Sequence, residues 1–357
     1  MKIIIFALPG IGDALMFSPA LRLLRRQFPQ ARIELLAMFR GVAELYSRNT
    51  DVDRVYYRDF LSTNPISSFF FLLNLRRQRF DVSLTVYPSN RWPYSLISFV
   101  VGAKKRIGHD YNHVNGRSLN FLNNLRVRED DSLHNVEENR KLVQLAGVAS
   151  NAGTPPLTVV LNEEDEAMAK QWISSSGISS DDRLIGFHTG SALFKNHIHK
   201  RWSAEKFGEL GKVLVQREGA KVLLFGGPEE YAMNESIARL IGPNGIVVKT
   251  PTLMSSVAIM KRCAVFVSND SGLMHIAAGL QLSTVAIFAY TNPAKTSPWK
   301  TRTRLIRRDI ECSPCFYFSP RSAHCQWTED RWRCITHVEV DEVYAAVKSL
   351  LEERRQA

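Results

Sequence analysis

The sequence predicts an α/β protein built as two doubly wound halves, each around a parallel sheet. Short apolar strand-like runs alternate with amphipathic helical stretches through the first half, and the alternation restarts in the second. A small, polar stretch at 174–182, SSSGISSDD, separates the two series and reads as a linker. At 357 residues and 45% hydrophobic content, the chain is long enough for two separate cores.

In order, residues 2–7 (KIIIFA) read as a buried strand, followed by the loop Leu8-Pro9-Gly10-Ile11-Gly12-Asp13. A helix over 14–27 comes next, which Pro19 should kink near its start. Gly10 and Gly12 invite a dinucleotide-binding reading, but the third glycine position of that fingerprint is Leu15, so it fails. Further strands are expected at 32–37, 55–57, 82–86, 106–108 and 157–161, with helices at 66–78 and 135–146. The second half places strands at 184–188, 221–225, 264–268, 284–289 and 304–307, and helices at 204–217, 229–241, 254–262 and 340–354. The domain limits expected are 1–175 and 182–338, with a terminal segment 339–357 whose amphipathic helix returns to the first domain.

The most telling stretch is 264–278, AVFVSNDSGLMHIAA. A buried strand stops at turn and N-cap residues and feeds directly into an apolar-periodic helix. That junction sets unpaired backbone N–H groups and the positive end of a helix dipole at the carboxyl edge of a sheet, where an anion can bind. Two other strand ends lead into loops of similar character, HTGSALFKNHIHKRW (188–202) and GGPEE (226–230). In an open parallel sheet the three would share one site.

Charge points the same way. The net charge of +11 favours an acidic partner: nucleic acid, an anionic membrane face or a phosphorylated substrate. The positive residues are dispersed and no nucleic-acid motif accompanies them, so nucleic acid is set aside. No apolar run approaches the ~20 residues of a membrane span, and the amino-terminal run reads as a strand rather than a signal peptide. A cytoplasmic protein with reduced cysteines is expected. The triplet Asp51-Val52-Asp53 has the form of a metal-holding D-x-D, but it stands before a short strand without other carboxylates and reads as a solvated turn. Cys312, Cys315, Cys325 and Cys334 within 312–334 give one C-x2-C knuckle without a second close pair. A structural metal and a packed set of reduced thiols both remain open there. Cys263 reads as a core thiol.

L-P-G-I-G-D followed by F-S-P-A-L, H-T-G-S…K-R-W, G-G-P-E-E and N-D-S-G-L-M-H-I-A-A occur here in the order found in glycosyltransferase family 9, the lipopolysaccharide heptosyltransferases, which the chain resembles over nearly its whole length. The stretch His134-Asn135-Val136-Glu137…Leu142…Gly147 resembles a further family segment. The resemblance implies the GT-B architecture, two Rossmann-like domains facing across a cleft. It also implies inverting transfer of heptose from ADP-heptose to the lipopolysaccharide inner core, with no metal or other cofactor.

Carried over residue by residue, the resemblance makes Asp13 the general base and Lys200 the cation facing the leaving diphosphate. Lys195 and Arg201 are nearby alternatives to Lys200. Thr189, Gly190 and Ser191 belong to the donor loop, and Ser271, Gly272 and Leu273 offer backbone N–H groups to the diphosphate. Asp270 is assigned to the sugar hydroxyls, Glu229 or Glu230 to the ribose, and His275 to the donor site. Ser203 replaces the proline often found after K-x-W and is itself a competent N-cap. The implied partners are a nucleotide sugar, a phosphorylated lipid-linked acceptor, and the anionic inner face of the cytoplasmic membrane through a salt-sensitive peripheral contact. A related transferase using another nucleotide sugar or acceptor, and a non-catalytic nucleotide-sugar binder in which Asp13 only caps a helix, fit the same motifs.

Overall fold

The computed structural model describes residues 1–112, 115–151, 153–192, 194–316 and 322–356. The chain forms two compact units that divide between Val160 and Leu161.

The first unit holds six strands: β1 (Lys2–Ala7), β2 (Arg32–Ala37), β3 (Arg54–Tyr57), β4 (Val82–Thr85), β5 (Lys105–Asp110) and β6 (Leu125–Arg128). They pair in the order β3-β2-β1-β4-β5-β6, and every pairing is parallel. Its centre, β1, is the run of isoleucines, fully buried on both faces as a strand covered by helices must be.

The second unit repeats the plan with β7 (Arg183–His188), β8 (Ala220–Phe225), β9 (Gly245–Val247), β10 (Val265–Asn269), β11 (Ser283–Ile287) and β12 (Thr303–Ile306). Their order is β12-β11-β10-β7-β8-β9, again wholly parallel. In both sheets the first and fourth strands of the unit are neighbours, which is the doubly wound order with its topological switch point between them. The switch points therefore lie at β1/β4 and β7/β10.

Local chemistry accounts for several boundaries. The expected kinked helix is two helices, Ile11–Leu15 and Ser18–Gln27, with Pro19 in the first turn of the second, where its missing N–H costs nothing. Ser203 does cap the helix Ala204–Glu218, accepting from the Lys206 N–H at 3.2 Å. That helix ends at Gly219 in the left-handed region, φ 61°.

Three expectations need correction. Residues 157–161 form no strand; the sixth strand of the first sheet is β6. The unit division also precedes the linker-like 174–182. The helix Glu163–Ser175 packs against the helix Leu253–Met260 of the second unit, and Glu166 reaches Lys261 at 2.7 Å. Composition marked the turn after that helix, whereas its buried side decides where it belongs. Finally, the terminal helix Val340–Gln356 packs on Ala204–Glu218 and the second sheet. Val343, Val347, Leu350 and Leu351 complete the second unit's core, so the helix belongs there rather than to the first domain.

Candidate active site

The carboxyl ends of β7, β8 and β10 stop at His188, Phe225 and Asn269. The loops that follow are tied to one another by buried side chains. Asn269, wholly buried, donates from Nδ2 to the carbonyl of Thr189 at 2.8 Å and accepts at Oδ1 from the Trp202 N–H at 2.9 Å. One amide thus pins the β10 end to both ends of the 189–202 loop. Thr189 in turn donates from its hydroxyl to Asn234 at 2.7 Å, and Asn234 holds the Phe225 carbonyl at 3.2 Å, so the β8 end is fixed too.

Lys200 ends the short 3-10 helix Phe194–Lys200 and is buried. Its ammonium lies 2.9 Å from Asp270 Oδ2, and Thr291 donates its hydroxyl to the same oxygen at 2.9 Å. Burial alone would raise the Asp270 carboxyl, but the Lys200 charge and hydrogen bond, helped by His275 and Thr291, outweigh it and hold the group below the usual carboxylate range. His275 is buried in the first turn of the following helix.

The two adjacent glutamates differ in their surroundings. Glu229 is exposed, whereas Glu230 is buried among the loops. Glu230 Oε2 lies 3.2 Å from His188 Nε2 and 3.2 Å from the Gly227 N–H, while Oε1 lies 3.4 Å from the Arg201 guanidinium. Burial opposes its charge, yet His188, Arg201 and the Gly227 N–H lower its pKa below the ordinary value. Gly190 leaves room for this carboxylate: a Cβ there would collide with the Glu230 carboxylate and force it to move. Arg201 also donates from Nε to the Ser191 hydroxyl at 3.1 Å, and that hydroxyl donates to the His197 carbonyl at 2.8 Å. Arg201 is therefore engaged as a loop clamp, and the Lys195 side chain lies outside the described residues.

The helix Gly272–Gly279 begins at Ser271, whose side chain makes no capping bond. Its hydroxyl instead meets His188 Nδ1 at 2.8 Å and Ser268 Oγ at 3.1 Å. With no side-chain cap from Ser271, the first turn at Gly272 and Leu273 presents its N–H groups at the dipole's positive end, where an anion is favoured. One sheet edge thus gathers a buried cation, a helix amino terminus and two buried carboxylates, and a helix amino terminus beside a cation is chemistry that suits a phosphate-bearing ligand.

In the first unit, Asp13 is the third residue of the helix Ile11–Leu15, directly after β1 at the other switch point. The N-cap there is Gly10, so Asp13 is not the cap; it is half-buried. Tyr94 and Tyr111 both have raised pKa values, first through burial, and the Asp13 charge adds to each. His134 caps the helix Asn135–Leu145, accepting from Val136 N at 3.2 Å, and Asn139 from that helix accepts the Tyr87 N–H at 2.9 Å. The family-like stretch at 134–147 thus braces the loop after β4.

The Asp51-Val52-Asp53 turn is solvated as expected at Asp53, whereas Asp51 is buried. Asp51 meets Arg22 at 2.6 Å and Asp53 meets Arg25 at 2.8 Å, tying the turn before β3 to the helix Ser18–Gln27. All five cysteines are free. Cys312, Cys315, Cys325 and Cys334 line one cavity with Tyr290 and Trp332, and burial together with the neighbouring thiols pushes Cys334 up to about 12. Among the described residues, no three His, Cys, Asp or Glu side chains are grouped to hold a metal ion.

Sequence reasoning read Asn269 as turn chemistry, quoted His188 only within a motif, and passed over Asn234 and Thr291. For His188 and Asn269 the available signal was positional, since polar side chains at the last buried residue of a strand have to find partners.

A family model described as glycosyltransferase family 9 (heptosyltransferase) matches residues 71–324. The chain is 28% identical over 325 residues to lipopolysaccharide heptosyltransferase 2 of Salmonella typhimurium, covering 86% of this chain and 88% of that protein. It is 23% identical over 369 residues to lipooligosaccharide heptosyltransferase 2 of Campylobacter jejuni, covering 99% of each. Among solved structures, a family 9 glycosyl transferase from Veillonella parvula superimposes with TM-score 0.79 at 21% identity, covering 99% of this chain and 97% of that one. E. coli ADP-heptose heptosyltransferase II superimposes with TM-score 0.76 at 23% identity, covering 99% and 100%. These likenesses show the fold.

Proposed function

The chain belongs to glycosyltransferase family 9, and on that premise we propose that it transfers heptose from ADP-heptose to the phosphorylated inner core of lipopolysaccharide, inverting the anomeric centre. The observation that carries this reading is the meeting of buried Lys200, Asp270 and the amino terminus of Gly272–Gly279 at one strand end. A nucleoside diphosphate needs a fixed cation and N–H donors, and a sugar beside it needs a carboxylate for its hydroxyls.

In the proposed step an acceptor hydroxyl attacks the anomeric carbon and gives its proton to the Asp13 carboxylate. The bond from that carbon to the β-phosphate oxygen breaks, and its electron pair leaves on ADP. The charge growing on the diphosphate is met by Lys200 and the N–H groups at Ser271, Gly272 and Leu273, which supply electrostatic stabilisation without a metal. Asp270 accepts from heptose hydroxyls once Lys200 turns to the phosphate. Glu230, buried where Glu229 is not, accepts from the ribose hydroxyls. Thr189, Gly190 and Ser191 form the wall over the diphosphate, and His275 supports the Asp270 charge.

The acceptor is lipid-linked, so the reading includes peripheral contact with the anionic inner membrane face. The charge of +11 supports it, and among the described residues no helix is long and apolar enough to cross a bilayer.

The test is the mass of the lipopolysaccharide core from cells lacking the protein, paired with turnover of a nucleotide-sugar panel by the purified enzyme. A core shortened by heptose, with turnover selective for ADP-heptose, is expected. An unchanged core with turnover of a different nucleotide sugar would move the assignment to another transferase, and ADP-heptose binding without turnover would make the protein a binder.

A further inference from the structure

The helix Pro65–Arg76, PISSFFFLLNLR, is apolar where a surface helix should be polar. Its inner residues Leu72 and Leu75 enter the first unit's core. Its outer stripe, Ile66, Phe69 and Phe70, is 67%, 49% and 63% exposed, at the i, i+3, i+4 spacing of one helix face. The neighbouring helix Trp92–Val101 does the same: Ile97 and Val101 face the core, while Trp92, Leu96 and Phe99 are 53%, 39% and 46% exposed, again along one face.

The two helices pack against each other, and each joins successive strands of a parallel sheet, so they run in the same direction. Their carboxyl ends meet: the Arg76 guanidinium donates to the Val100 carbonyl at 3.0 Å. Cations gather at that shared end. Arg77 and Arg79 follow the first helix and Lys104 and Lys105 follow the second, all exposed; Lys104 pairs with Asp81 at 2.8 Å, so the net charge of this end comes from Arg77, Arg79 and Lys105. Six large apolar side chains on adjacent helix faces, bordered at one end by basic residues, exceed the scattered apolar exposure that any soluble surface carries.

We propose that this double stripe is a membrane-docking surface, with Ile66, Phe69, Phe70, Trp92, Leu96 and Phe99 entering the headgroup–acyl boundary of an anionic bilayer. Apolar side chains on one face with cations at its border match the two forces of interfacial binding, burial of apolar area and attraction to anionic lipid. The aromatic residues suit the interface, where ring bodies bury and polar neighbours stay wet. The proposal deepens the peripheral contact named under the proposed function and rests on it only for the choice of bilayer over a second copy of the chain. It also changes the expected salt response. Screening removes the contribution of Arg77, Arg79 and Lys105 but leaves the apolar one.

The test is flotation of the full-length protein with vesicles of phosphatidylethanolamine containing phosphatidylglycerol, at low and at high salt, without donor or acceptor. The wild type should float at low salt and retain a bound fraction at high salt. The triple change I66S/F69S/F70S, and separately W92S/F99S, should reduce flotation at least several-fold and abolish the salt-resistant fraction. An unchanged circular-dichroism spectrum and an unchanged melting transition of the first unit in these variants show that they are folded. Equal flotation of wild type and both variants would overturn the proposal. So would a wild type that ignores vesicles and sediments as a dimer which the substitutions dissociate. Because neither arm measures transfer, failure of the heptosyl reading and failure of the docking surface are told apart.

Discussion

Lys200 and Asp270 form a buried ion pair, Nζ to Oδ2 2.9 Å, between a donor-loop residue and a β10-end residue. Removing one partner of such a pair leaves the other charge uncompensated, at a cost of about 3 kcal/mol. Lys200→Met should therefore destabilise the second unit as well as weaken ADP binding. The pH dependence has a definite sign. In the wild type Asp270 titrates below its ordinary value, so its contribution is full above the usual carboxylate range and lost as pH falls through it. Without Lys200, burial raises the Asp270 pKa, and its contribution then falls as pH rises. Thermal melts should show the deficit of Lys200→Met relative to wild type shrinking from pH 7 to pH 5. A deficit constant with pH would mean that the pair does not control Asp270.

The two adjacent glutamates should separate cleanly. Glu230→Gln removes a buried carboxylate that meets His188, Arg201 and the Gly227 N–H, and should weaken ADP binding about tenfold or more. Glu229→Gln alters an exposed side chain and should leave affinity within twofold. Calorimetric titration with ADP checks both, and the reverse ranking would move the ribose contact to Glu229.

In the proposed reaction Lys200 and the N–H groups of the helix Gly272–Gly279 would supply the positive charge that a divalent ion provides elsewhere. Heptose transfer should accordingly persist in excess EDTA. Activity lost to the chelator and restored by magnesium or manganese would sink that assignment. The arginine-paired Asp51 and Asp53 would then be poor candidates to hold the ion, since Arg22 and Arg25 already occupy them.

The sheets were legible because buried parallel strands write themselves as apolar runs: KIIIFA and AVFVS announce β1 and β10 without help from context. The edge strand β6, LRVR, alternates too briefly to stand out, and β9 is only GIV. Domain limits failed where composition and packing disagree, as with Glu163–Ser175, whose polar surface hides a face committed to the second unit. Within the candidate site, Lys200, Glu230 and Asp270 were visible in the loop motifs. The role of Asn269 was not, because its task is to satisfy the backbone at Thr189 and Trp202, residues distant in sequence. The solvent-facing phenylalanines of Pro65–Arg76 were hidden for a related reason: an apolar helix with no polar side reads as buried until the fold shows which face has no cover.

The central claim is transfer with Asp13 as general base, and the initial rate of heptose transfer by Asp13→Asn tests it most directly. Asp13 is the third residue of its helix and not the cap. The substitution keeps the size of the side chain and removes its charge, and a charge in the first turn of a helix is worth about 0.3–1 kcal/mol. A general base contributes ~10²–10⁴-fold to rate. The variant should melt close to wild type, bind ADP normally, and transfer heptose at least ~100-fold more slowly. A folded Asp13→Asn protein that transfers heptose at near wild-type rate would contradict the account.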